Sequence, residues 1–198
     1  MFAARNNFLT PASVGGNYTL GLSDSLLTFG GQNAVWNEQT IDISSYGGAT
    51  VRFVMYYQTT TSYTADLQLD DINIDGTLYT FESGPEDWET TASDQENSGV
   101  ITSYTSASFS TVATGGAQYK WNRDNSGTGS SGTGLTVDHT LGTASGYYLY
   151  AETSVSHPAG YWLRSPEVTL SNSPTLSFWE ARYGATMGTA EVYLDVIS

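Results

Sequence analysis

Cysteine is absent from this chain, which excludes disulfide bridges, thiolate metal centres and cysteine nucleophiles together. Stability must come from packing. Lysine occurs once, at Lys120, and Lys and Arg number 6 against 20 Asp and Glu, a formal charge of −14. Phosphate backbones and anionic lipid are held by clusters of basic side chains that displace counterions, so nucleic acid is not an expected partner. Charged residues make up only 13% of the chain, about half the usual share, which leaves Ser, Thr, Gly, Asn and Tyr to cover most of the surface. Apolar runs long enough to cross a bilayer are missing, and the opening MFAARNNFLTPASVGGNYTL has no continuous apolar core of the signal-peptide kind. Neither membrane insertion nor export by a leader is expected. Helical periodicity is lacking too, since no segment sustains a 3.6-residue apolar repeat over three turns.

What is present is alternation. Hydrophobic residues are 39% of the 198 and aromatic ones 13%, enough for a real core. In WNEQTIDISSYGGATVRFVMYYQ, Trp36, Ile41 and Ile43 lead to a Gly47-Gly48 turn, after which Val51, Phe53, Met55 and Tyr57 share one strand face against Arg52, Val54 and Tyr56. GYYLYAETS, YWLRSPEVTL, PTLSFWEARYG and GTAEVYLDVIS repeat the pattern between Gly, Pro, Ser and Asn. The expectation is an all-β, antiparallel, two-sheet sandwich. Between Ser93 and Gly134 the texture loosens, and NRDNSGTGSSGTGLT has the composition of a linker. Patterned residues on both sides favour a surface loop or a short irregular strand instead.

The strand LQLDDINI breaks its own phase. Leu67 and Leu69 lie on one face, whereas Ile72 and Ile74, of opposite parity, lie on the other. One inserted residue, a β-bulge at Asp70-Asp71, would bring all four apolar side chains to a single core face. A strand buried on both faces would need no bulge.

A larger pattern emerges after residue 120. Trp121 to Arg123, Asp138-His139-Thr140 ahead of Gly142 and Gly146, Tyr148 to Glu152, Ser165-Pro166, Phe178-Trp179 and a strand after Gly188 follow one another. In that order they resemble the first half of a MAM domain, a jelly-roll sandwich of adhesion proteins that also occurs without cysteine in bacterial and viral proteins. Phe81-Glu82 resembles the Phe-Glu of the family's first strand. Residues 1–76, with their Trp-initiated strand and terminal Asp-Asp-Ile, are similar to the family's second half, and residues 80–198 to its first half. The halves stand in reverse order. The resemblance therefore implies one circularly permuted jelly-roll domain over residues 1–198, with DGTLY joining the old termini. Two half-domains, each completed by a neighbouring copy, are the competing arrangement.

Asp70, Asp71, Glu82 and Asp87 form the densest carboxylate group, and hard oxygen ligands of this kind suit calcium. The resemblance likewise implies a structural cation near the corresponding Glu and Asp residues. Lys120 departs from it, standing where relatives tend to place Asp. Acidic pairs of equal parity occur at Asp66 with Asp70 and at Glu191 with Asp195, the pattern a glycosidase would need. Their surroundings do not support an enzyme, and no catalytic residue is expected. His139 reads as a structural hydrogen-bonding residue, and His157 falls in a loop. Fourteen tyrosines and five tryptophans invite a binding role. Trp36, Trp88, Trp121 and Trp179 are expected in the core, and Tyr147, Tyr161 and Trp162 on a binding surface.

These features lead to a non-enzymatic structural and binding protein that attaches to other protein subunits. A bacteriophage virion component is the first expectation: a capsid decoration protein, then a tail or fibre accessory, assembled in the host cytoplasm and carried out in the virion. Its partners would be other virion subunits, further copies of itself, and host-surface glycans. The alternative is an extracellular carbohydrate-binding or cell-adhesion module of a secreted protein.

Overall fold

A computed structural model describes residues 25–91, 120–153 and 159–197, with the backbone of three further short strands outside those ranges. In chain order the strands are β1 (Tyr18–Thr19), β2 (Leu27–Gly30), β3 (Asn33–Asp42), β4 (Thr50–Gln58), β5 (Leu67–Ile74), β6 (Thr77–Tyr79), β7 (Glu89–Thr91) and β8 (Val100–Ile101). They continue with β9 (Tyr104–Thr105), β10 (Trp121–Asp124), β11 (Tyr148–Ala151), β12 (Gly160–Arg164), β13 (Val168–Thr169), β14 (Thr175–Arg182) and β15 (Thr189–Ile197). A 3-10 turn at Ser44–Tyr46 is the one helical element among the described residues, and no helix there is long and apolar enough to cross a membrane.

Two antiparallel sheets form the sandwich that the alternation predicts. One runs β10-β11-β5-β14-β3 with β6 beside β5, and the other runs β2-β15-β4-β12-β7-β9 with β13 beside β4. Strands from before and after residue 80 interleave in both. β5 lies between β11 and β14, and β4 between β15 and β12, so the two portions of the chain share one body. The core is the inward set of each strand. Val51, Phe53, Met55 and Tyr57 from β4 meet Leu67, Leu69, Ile72 and Ile74 from β5 in one apolar cluster. Trp88 sits among Phe53, Tyr79 and Phe81, with ring centroids 5.3 to 5.7 Å away in edge-on contacts.

The bulge in β5 is present. Asn73 pairs with Ser177 and Asp70 with Trp179, three steps on β5 against two on β14. The extra residue is absorbed at Asp71, whose φ is +44°, and Leu67, Leu69, Ile72 and Ile74 are all fully buried. A two-residue turn, Asp75-Gly76, with φ of +51° and +85°, then reverses the chain into β6. Both positive φ values fit the turn type whose twist matches a hairpin, and Asp-Gly is a favoured pair for it. The DGTLY connector is therefore a hairpin, with the Asn73 side chain accepting a bond from the Gly76 N–H at 2.9 Å.

Four aromatic assignments change. Tyr161 is not a surface residue: alternation on β12 sends it inward with Leu163, and its hydroxyl donates to the Glu152 carbonyl at 2.6 Å. Trp162 does point outward, yet it is only 5% exposed, because its strand is interior to the sheet and the Tyr56 ring lies over it at 4.3 Å. Trp88 and Trp121 are buried as expected, whereas Trp36 and Trp179 stay partly exposed on the outer side of the six-stranded sheet. His157 falls outside the described residues.

Deleting Asp71 tests the bulge. The loss of one residue turns Ile72 and Ile74 to the opposite face and forfeits about 3–6 kcal/mol of burial, a large part of a typical domain's stability. The expected outcome is the loss of a cooperative urea transition, while Asp71→Gly, which tolerates the same φ, retains one.

Candidate functional site

The outer face of the six-stranded sheet is covered, which explains why β11 is buried at every residue. Residues 125–147 cross it as an irregular roof. Gln68 ties the roof down, donating to the Leu135 carbonyl at 3.0 Å and accepting from the Leu135 N–H at 2.5 Å. The glycine- and serine-rich stretch is thus a surface loop with defined contacts and not a linker.

Asp70 and Asp71, aimed outward by the bulge, hold the next part of the roof. Asp70 is fully buried and accepts bonds from the backbone N–H groups of His139 at 2.8 Å, Thr140 at 3.2 Å and Asp71 at 2.8 Å. Asp71 lies 2.6 Å from His139 Nδ1 and accepts the Thr140 hydroxyl at 2.7 Å. His139 therefore has the structural hydrogen-bonding role read from its DHT turn. Asp138 closes that turn from within, accepting from Leu141 N–H at 2.6 Å and Thr143 N–H at 2.9 Å. Gly146 makes room for it, since a Cβ there would stand 2.1 Å from the Asp138 carboxyl carbon.

The four carboxylates expected to hold calcium are engaged separately. Among the described residues no group of three or more His, Cys, Asp or Glu side chains is placed to bind a metal ion. Asp70 and Asp71 are engaged by protein donors, as above. Glu82 accepts the Tyr147 N–H at 2.8 Å, with the Arg123 guanidinium bonded to its backbone carbonyl, and Asp87 is exposed. Arg123 also donates to the Phe81 carbonyl at 2.5 Å and so clamps the strained Phe81, whose φ is +61°. The Trp-x-Arg and Phe-Glu motifs meet through this clamp. Tyr147 is half-buried, its ring under the Arg123 guanidinium at 3.5 Å, so it caps a cation as well as facing solvent.

Over the anchored turn stands an aromatic stack that strand alternation misassigned. The His139 ring lies on Trp179 at 3.8 Å and nearly parallel, and Trp36 meets His139 edge-on at 6.1 Å. The Trp36 indole N–H donates to the Val137 carbonyl at 3.1 Å. All three rings are partly exposed, and the neighbouring Val137 and Leu141 are 38% and 56% exposed. An apolar surface is therefore held rigidly at one place on the sandwich.

Burial, followed by the charge of Asp71, pushes the Asp70 carboxyl up to about 7, against the pull of the His139, Asp71 and Thr140 bonds. The folded state then keeps a proton that an unfolded aspartate, near 3.8, gives up. This contribution to stability is complete below about pH 4 and lost as pH rises through 7. The melting temperature at pH 5 should exceed that at pH 8, and the difference should shrink in Asp70→Asn.

Residues 106–197 match the family described as MAM domain, meprin/A5/mu. No solved structure matches the chain. MAM domains are adhesion-type modules without catalytic function. The matched span supplies β10 to β15, strands of both sheets. Over residues 106–197 the chain is therefore similar to a MAM domain, and the described residues form a two-sheet antiparallel β-sandwich without cysteine.

Proposed function

We propose that the protein is a non-enzymatic attachment module that docks on other protein subunits through the Trp36–His139–Trp179 surface. The observation that carries this reading is the exposure of Val137 and Leu141 beside three partly exposed rings, two of them positioned by hydrogen bonds of His139 to Asp70 and Asp71 and of Trp36 to Val137. Rigid aromatic side chains give large contact area at low entropic cost and are enriched at the centres of interfaces. The adhesion character of the matched family supports a binding role of this kind.

The partners proposed are structural subunits of a virus particle, with the chain as a bacteriophage capsid decoration protein or a tail or fibre accessory. Composition supports this finer reading: no cysteine, one lysine, and a sparsely charged surface rich in Ser, Thr and Gly. In this proposal the chain is carried in the virion, and its order of halves is a circular permutation of the family's. The shared sheets and the short β5–β6 hairpin support the permutation.

A second reading, an extracellular carbohydrate-binding or cell-adhesion module, rests on the outer face of the other sheet. There the partly exposed Tyr56 and Tyr193 rings flank the buried Trp162, with centroids 4.3 and 6.4 Å from it, beside Gln58 and Glu191. Partly exposed tyrosines present an apolar ring face and a polar hydroxyl of the kind a sugar can meet.

The two readings part in one experiment on wild type, Leu141→Asp and Tyr193→Ala. Attachment predicts that purified particles from an expressing host carry the wild-type chain and lack Leu141→Asp, whose melting temperature stays within about 2 °C of wild type because the side chain is exposed. Glycan-array binding lost in Tyr193→Ala, with no chain on particles, would favour the sugar reading.

A further inference from the structure

Sheets that end in a long strand leave a row of backbone groups without partners, and three of the four sheet ends in this protein avoid this by being short. β10 and β2 have four residues each and β9 two, whereas β3, at the end of the six-stranded sheet, has ten. Its first part is irregular: Asn37 pairs with Glu180 and Asn33 with Arg182, four steps on β3 against two on β14. From Asn37 to Asp42 the register with β14 is unbroken, and this stretch contains no lysine or proline, the residues that usually blunt an edge. Among the described residues no strand pairs with its outer side.

Alternation fixes which groups lie open. The Thr175 carbonyl accepts the Asp75 N–H at 2.7 Å, on the β5 side of β14. Backbone groups alternate along an antiparallel strand, so those of Thr175, Ser177 and Trp179 serve β5, and those of Leu176, Phe178 and Glu180 serve β3. Opposite the second set stand Ile41, Gln39 and Asn37, which leaves the N–H and C=O groups of Glu38, Thr40 and Asp42 pointing away from the sheet. The side chains of the same three residues are exposed on the sheet's outer face. Neither carboxylate takes part in an ion pair among the described residues. On the inner face Ile41 is 7% exposed, and Leu27 and Phe29 of the preceding strand, β2, pack on the core while keeping solvent access.

We propose that the edge of β3 over residues 37–42 takes an extended segment of a partner protein as an added antiparallel strand, with basic side chains facing Glu38 and Asp42. Main-chain bonds to Glu38, Thr40 and Asp42 supply affinity, and alternate side chains supply specificity. Those on the outer face meet the two carboxylates, and opposite charges placed directly across a strand pair are favourable. Those on the inner face extend the apolar layer beyond Ile41, where β-branched residues suit a strand. Charge also decides against a second copy of this chain, since self-pairing would gather both carboxylates of each copy along one seam, in a chain of formal charge −14. The segment that fits has Lys or Arg opposite Glu38 and Asp42 and Val or Ile at the alternate positions between them. This goes beyond the attachment reading and does not depend on it, because it uses the backbone edge of β3 and not the exposed rings.

The test uses the full chain and a dye-labelled synthetic peptide, Lys-Val-Thr-Val-Lys-Thr, read by fluorescence anisotropy, with amide exchange followed by NMR in the same mixture. Saturable binding is expected, weaker as salt rises, with slowed exchange at Glu38, Thr40 and Asp42. Thr40→Pro should abolish binding, because proline removes an edge N–H that β14 does not use, and its melting temperature should stay within about 4 °C of wild type. Glu38→Lys should weaken binding about fivefold, and a peptide with Glu in place of the second lysine should recover it. Leu141→Asp should bind as wild type does. If Thr40→Pro does not fold, the charge swap at Glu38 carries the comparison. No binding by wild type, undiminished binding by Thr40→Pro, or equal binding of the lysine and glutamate peptides by wild type overturns the proposal. A dimer of the chain alone that Thr40→Pro dissolves would overturn it too, by giving the edge to a second copy. So would binding lost in Leu141→Asp and kept in Thr40→Pro, which places the peptide on the aromatic surface.

Discussion

One additional residue in β5 sets the relation between the core of this protein and its surface. Leu67 and Leu69 face inward, and without the insertion Ile72 and Ile74 would face out. The bulge at Asp71 brings all four into the same apolar cluster. By the same step it leaves two adjacent carboxylates, Asp70 and Asp71, directed at the roof. A left-handed backbone at a non-glycine residue costs of the order of 1–3 kcal/mol. The buried isoleucines offset that cost, and the bonds from His139 and Thr140 add to the balance.

A second consequence is an unusual use of the sheet's outer face. Antiparallel sheets commonly leave one face to solvent. Here that face carries Asp66, Gln68, Asp70, Asn122, Tyr148, Tyr150 and Glu152, all buried, because an irregular segment lies across it. Such a segment cannot pack by apolar alternation and must be fastened by hydrogen bonds. Gln68 holds Leu135, Asp70 and Asp71 hold His139 and Thr140, and Glu82 holds Tyr147. The fastened turn in its middle carries Trp36, His139 and Trp179 as a defined apolar surface, so binding geometry and folding energetics rest on the same side chains.

Much of the fold was legible because strands with one core face write it into the sequence at period two. The parity change between Leu69 and Ile72 was enough to locate the bulge, and Asp75-Gly76 to locate a tight reversal. The family resemblance pointed to the same sandwich from other residues, Ser165-Pro166 among them. Alternation tells which face a residue is on, and not what covers that face. Trp162 points outward and is nonetheless buried under Tyr56, whereas Trp179 also points outward and keeps solvent access beside His139. Tyr161 shares its parity with Leu163, and both are core residues. Proximity in sequence says equally little of Glu82 and Asp87, where the chain turns between them and Arg123, far along the chain, bonds to the Glu82 backbone carbonyl. The free edge at Glu38, Thr40 and Asp42 depends on the register of three strands remote in sequence, which a single sequence does not display.

The coupling between bulge and roof is most directly measured by a double-mutant cycle on Asp71→Ala and His139→Ala, read from urea denaturation. Residues in one hydrogen-bonded network show coupling of about 0.5–3 kcal/mol, while independent sites add within a few tenths. A favourable coupling of about 1 kcal/mol or more is the result expected if the inserted residue holds the aromatic turn in place. Strict additivity, with each variant unfolding as though the other position were intact, would contradict it.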